Sequence, residues 1–144
     1  MADVPVWVLD TNVLVSGLLS PSGPPGRLVD VLLGRRLKLA LDDRIEAEYR
    51  EVLARPKLGI EPIRCDAFLA ILQFQEHVIA LPWPHQASPD EDDIVFLEVA
   101  VETPARTVVT GNLRHFPPSC RGPVTVLSPR GAWERFVDLE VGGA

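Results

Sequence analysis

Short apolar, β-rich runs alternate along the chain with segments whose apolar residues recur at helical spacing. Val6 to Leu9 is apolar on both faces, as a central strand of a parallel sheet reads, and Asp10 follows it directly. Turn residues mark Ser20 to Gly26 as a loop, and Leu28, Val29, Leu32 and Leu33 then predict a helix ending at Gly34. Leu37 to Leu41 reads as a second strand. Asp42 or Asp43 caps a helix starting near Arg44, with Ile45, Tyr49, Val52 and Leu53 as its stripe and Pro56 marking its end. Phe68, Leu69, Leu72 and Phe74 predict a further helix, Val78 to Leu81 a strand, and Pro82-Trp83-Pro84 a break.

The acidic run Asp90-Glu91-Asp92-Asp93 suits the positive end of a helix whose inner face is Ile94, Leu97, Ala100 and Val101. Thr107 to Thr110 is a fourth strand, Gly111 to Pro118 a loop, Val124 to Leu127 a last strand, and Ser128 caps a closing helix through Phe136. Strands alternating with helices predict an α/β fold, a three-layer sandwich with a central parallel sheet flanked by helices. The 144 residues are the size of a single domain, 1–144, with no repeat or linker inside it.

Composition narrows the classes. With 47% hydrophobic and 24% charged residues the chain is neither disordered nor membrane-embedded, since no apolar run reaches the roughly 18 residues a bilayer needs. Asp3 follows Met1 with no basic segment before the apolar run, so no secretory signal is expected and the expected location is cytoplasmic. Cys65 and Cys120 lack the spacing of a zinc site or a disulfide framework. A net charge of -6 excludes coating nucleic acid by bulk electrostatics, yet it suits an acidic site neutralised by metal.

In an open parallel sheet, ligands bind beyond the carboxyl ends of the strands. Asp10 ends the first strand, Glu48 lies one turn into the helix after the second, Asp93 lies in the first turn of the acidic helix, and Asn112 follows the fourth strand. Wound as predicted, the sheet brings all four to one edge. Three carboxylates and an amide oxygen in one cleft repel one another unless a cation is present, and oxygen donors with open water positions suit magnesium or manganese. Such a metal activates water and offsets charge on a phosphodiester, which makes the cleft a nuclease candidate. Taken singly, each residue has a plainer role: Asp10 a helix cap, Asp90 to Asp92 complements of a helix dipole, Glu48 a solvated face, Asn112 a turn.

Val8-Leu9-Asp10-Thr11-Asn12-Val13-Leu14-Val15-Ser16, then Ala47-Glu48-Tyr49-Arg50-Glu51-Val52-Leu53, then Asp90 to Asp93 running into Phe96-Leu97, then Val109-Thr110-Gly111-Asn112, resembles the PIN domain nucleases over nearly the whole chain. Through Thr110 to Pro117 it is similar to the toxin branch of toxin-antitoxin systems, the VapC-like ribonucleases. The resemblance implies a magnesium- or manganese-dependent endoribonuclease acting on RNA, an antitoxin partner and a homodimer. It implies Asp10 as the central metal ligand, Glu48 as a second acid and Asp93 as a third, with Asp90 or Asp92 either serving a second metal or only supporting the ligands from behind. Asn12 and Thr110 would steady Asp10 by hydrogen bonds.

Asn112 departs from the pattern, because many PIN nucleases carry a fourth aspartate there; an amide keeps the oxygen and loses the charge. Arg114 and His115, and less so Arg27, are candidate phosphate contacts. Other readings are a catalytically weakened PIN-fold module that binds RNA or protein, and a housekeeping RNA-processing nuclease. A haloacid dehalogenase phosphatase needs a second aspartate where Asn12 stands, and no glycine-rich phosphate loop occurs.

Overall fold

A computed structural model describes residues 4–84 and 91–142. Among them β1 (Val6–Leu9), β2 (Lys38–Leu41), β3 (Glu76–His77), β4 (Thr107–Val109) and β5 (Thr125–Leu127) form one sheet ordered β3-β2-β1-β4-β5, each neighbouring pair parallel. Helices α1 (Thr11–Leu19), α2 (Pro24–Leu33), α3 (Asp43–Leu53), α4 (Pro62–Ile71), α5 (Glu91–Val101) and α6 (Pro129–Gly142) complete a three-layer α/β sandwich. The central strands β1, β2 and β4 are almost wholly buried, as parallel strands covered on both faces must be, while the edge strands β3 and β5 are partly exposed. Chain order reverses at β1, whose neighbours are β2 and β4, so the fold's switch point lies beyond Leu9 and Val109.

Sequence periodicity missed α1, which starts directly after Asp10. Val13 and Val15 favour strand locally, but Val13, Leu14, Gly17 and Leu18 make a buried helical stripe, so packing overrides propensity. Gly17 lets α2 approach closely: a Cβ there would lie 2.5 Å from the Pro25 carbonyl oxygen and from Val29 Cγ2. The expected loop through Gly26 is shorter, because Pro24 and Pro25 occupy the first turn of α2, where a missing N–H costs nothing. Towards the chain's end α6 runs past Phe136 to Gly142, and the Arg36–Glu140 ion pair ties its last turns to the turn between α2 and β2.

The strand expected at Val78 to Leu81 is displaced to Glu76–His77. Its partner β2 ends at Leu41, since Asp42 turns away to cap α3 through its side chain, accepting from the N–H groups of Arg44 and Ile45. Pairing therefore stops once Val78 N–H has donated to Leu41 O. Upstream, the Gln75 side chain takes over one ladder position, its Oε1 accepting from Leu39 N–H at 2.9 Å. On α5 the buried residues are Asp93, Phe96, Leu97, Val99 and Ala100, whereas Ile94 and Val101 of the expected inner face are only half-buried. The acid at 93 thus shares a stripe with core residues at 96, 97 and 100. Asp90, expected to open this helix, lies outside the described residues.

Candidate active site

The switch point holds a cleft of about 270 Å³, lined by Asp10, Glu48 and Asp93 together with Thr11, Asn12, Val52, Arg55, Asp92, Phe96 and His115. A larger hollow of about 780 Å³ opens by Val6, Trp7 and Thr107, at the opposite ends of the strands, and its lining is mainly apolar. The smaller cleft has the chemistry.

Asp10 is buried and caps α1, its Oδ1 accepting from Asn12 N–H at 3.3 Å. Its Oδ2 accepts from the hydroxyl of the fully buried Thr110 at 2.8 Å. Asp10 N–H donates to Val109 O and Thr110 N–H to Leu127 O, so adjacent strands carry both residues in register. Both of the expected steadying contacts to Asp10 are present, that from Asn12 being made by its backbone.

Glu48 comes from α3, whose core stripe of Ile45, Tyr49 and Leu53 leaves Glu48 and Val52 on the neighbouring arc that lines the cleft, with Arg55 joining them from just past the helix end. The Thr11 hydroxyl donates to Glu48 Oε2, which joins α3 to the first residue of α1. Asp93 is buried, and its Oδ2 lies 3.1 Å from His115 Nδ1. His115 therefore stands in the cleft against a carboxylate, while Arg114 is exposed outside the lining. Arg27 lies over the Trp133 ring, away from the cleft.

Asn112 is not among the lining residues. It is half-buried, and its N–H donates to Thr110 Oγ1 at 3.0 Å, so it reaches Asp10 only through Thr110. Thr11 and Arg55 have cleft positions that sequence reasoning missed. Thr11 had a signal in its place beside Asp10. Arg55 had none, since it lies two residues beyond the end of α3 with extended backbone, where helical spacing no longer places a side chain.

Tyr49 locks this arrangement from beneath. Its hydroxyl donates to Leu9 O, the residue before Asp10, and its ring meets Phe68 edge-on at 6.0 Å. Burial first, then the negative charges of Asp10 and Glu48, push the phenol far above its ordinary 10.0. A raised pKa of this kind supports folding fully below pH 10.0, where the unfolded chain also keeps its proton. Above that pH only the unfolded chain releases it, so stability falls by about 1.4 kcal/mol per pH unit. Tyr49 is the only tyrosine. Tyrosinate absorbance should appear only together with unfolding, and reversible ionisation of the folded protein near pH 10.0 would contradict the assignment.

Among the described residues no three acidic, histidine or cysteine side chains stand close enough to share one ion as they are. The donor set still fits a hard divalent cation in kind: carboxylate oxygens from three separate elements lining one hollow, with room for water.

The PIN domain family model matches residues 6–114, which contain Asp10, Glu48, Asp93 and Asn112. The chain belongs to the PIN domain family. An uncharacterized protein of Methanocaldococcus jannaschii is 31% identical over 108 residues, spanning 73% of this chain and 69% of that one. PIN domains are generally nucleases, hydrolases that act on nucleic acid with divalent metal ions. No helix of the described PIN domain is long and apolar enough to cross a membrane.

Proposed function

We propose that this PIN domain is an endoribonuclease that hydrolyses RNA phosphodiester bonds with magnesium or manganese held by Asp10, Glu48 and Asp93. One observation carries the reading: three carboxylates delivered by the end of β1, by α3 and by α5 line a single cleft at the fold's switch point. When bound there, the cation would lower the pKa of a water and offset charge on the phosphate. Water adds to phosphorus and one P–O bond breaks, leaving a phosphomonoester end and a hydroxyl end.

The chain's own residues set the carboxylates. Thr110 and the Asn12 N–H fix both oxygens of Asp10, Thr11 orients Glu48, and His115 orients Asp93. Asn112 belongs to this supporting shell, acting on Asp10 through Thr110, which leaves Asp10, Glu48 and Asp93 as the charged ligands, with the exposed Asp92 also lining the cleft. A single ion held without RNA suits that count better than two. Within this reading the enzyme is a cytoplasmic toxin, active as a homodimer and silenced by an antitoxin laid over the cleft, and the similarity of Thr110 to Pro117 to the VapC-like branch supports it. A non-cutting RNA- or protein-binding module is the second reading, favoured by the distance that keeps the three acids from sharing one point.

Labelled single-stranded and structured RNAs incubated with magnesium, manganese or chelator decide between them. Cutting with metal and none with chelator is the expected result. Intact RNA under every condition, from folded protein, would overturn the enzyme.

A further inference from the structure

Arg55 is the one permanently charged cation among the described residues lining the acidic cleft, and its guanidinium is turned onto Glu51, at 2.9 Å to each carboxylate oxygen. Both partners are more than half exposed, at 56% and 62%, and such a solvent-screened pair holds its members only weakly. Arg55 also borders a second hollow of about 240 Å³ with a mixed lining, in which Leu53, Pro56, Ile60 and Pro62 supply apolar surface and Asp66 a carboxylate. Gly59 in that wall has φ 68° and open space where a Cβ would stand. One arginine thus stands between a hollow of carboxylates and a hollow of proline and aliphatic faces that also holds Asp66.

We infer that Arg55 leaves Glu51 to clamp an RNA phosphate next to the scissile one, and that the neighbouring base enters the hollow of Leu53, Pro56, Ile60 and Pro62. The inference rests on the RNA-cutting reading and names how that substrate is held. A guanidinium fork binds two phosphate oxygens at once, a better match than the exposed carboxylate it gives up, because the phosphate arrives with the rest of the strand already anchored. The faces of every base are largely apolar, so contact with proline and aliphatic side chains takes them out of water whatever the sequence. Glu51 has a role of its own here: it is the resting partner that Arg55 exchanges for the phosphate. Arg55 is a substrate-positioning residue, outside the reacting group.

The test combines cleavage kinetics with binding of fluorescent single-stranded RNA to the uncutting Asp10→Asn protein. Arg55→Ala should raise KM and Kd about tenfold with kcat little changed, and lower the salt slope of binding by about 0.7. Arg55→Lys should recover part of that affinity, and Glu51→Gln, which frees Arg55, should tighten binding. RNA lacking one base beside the cut should bind several-fold more weakly. Cleavage with unchanged Kd and salt slope in Arg55→Ala would overturn the clamp alone, and weakening by Glu51→Gln as well would reduce the pair to a structural role. Arg55-dependent binding without any cutting would keep the clamp and remove the nuclease, while RNA neither bound nor cut would remove both.

Discussion

Asp10→Asn protein should fold like the wild type and lose RNA cleavage by at least about a thousandfold. The two halves of this expectation have separate causes. Asparagine ranks with aspartate as a helix N-cap, and its amide oxygen can accept from Asn12 N–H or from the Thr110 hydroxyl. Near-wild-type melting is therefore expected. What disappears is a buried negative charge at the centre of the three acids, and with it the strongest attraction for a divalent cation. A metal supplies several kcal/mol of transition-state stabilisation, and each 1.36 kcal/mol is about a factor of ten in rate. Residual cutting within about tenfold of wild type, from protein purified free of other nucleases, would place the chemistry elsewhere.

Tyr49→Ala should be among the most damaging core substitutions, with a loss of about 3–5 kcal/mol, as aromatic truncations in packed cores cost. The side chain is fully buried, so its removal opens a cavity beside Phe68 and also leaves Leu9 O without the phenol hydrogen bond. For a domain of this size the melting temperature should fall by roughly 10–20 °C. Tyr49→Phe keeps the volume and gives up only the hydrogen bond, at about 1–3 kcal/mol for a buried carbonyl left unsatisfied. Because Leu9 precedes Asp10 and Tyr49 follows Glu48, this variant should also loosen the spacing of the two acids and slow cleavage more than its stability loss explains. Equal melting of Tyr49→Ala and wild type would refute the packing account.

The local patterns of the chain carried most of this architecture. β1, β2, β4 and β5 stand within a residue of their predicted bounds, the first three because a strand buried on both faces must be a short apolar run whatever surrounds it. Asp10 and Asp93 were legible because they sit where β1 ends and where α5 begins, and Glu48 because it lies one turn into α3 beside the apolar stripe. What escaped depended on distant partners. β3 lies where β2 permits pairing, and its position is set by the Asp42 cap and the Gln75 amide, which periodicity does not register. α1 is helical because Gly17 nests against α2, although its valines point the other way. Asn112 read as a ligand from its place after β4, yet its backbone bond to Thr110 and its absence from the cleft lining are matters of loop geometry. The contacts of Thr11 with Glu48 and of His115 with Asp93 join residues 37 and 22 positions apart, beyond any local pattern.

The three acids are the heart of the account, and manganese binding reads them without reference to any chosen RNA. Titrating the wild-type protein with Mn²⁺ under electron paramagnetic resonance should show one bound ion per chain, with affinity lost in Asp10→Asn and strongly weakened in Glu48→Gln and Asp93→Asn, all three remaining folded. Binding by the three variants indistinguishable from wild type, or no bound ion in wild type, would contradict a metal site at the mouth of β1.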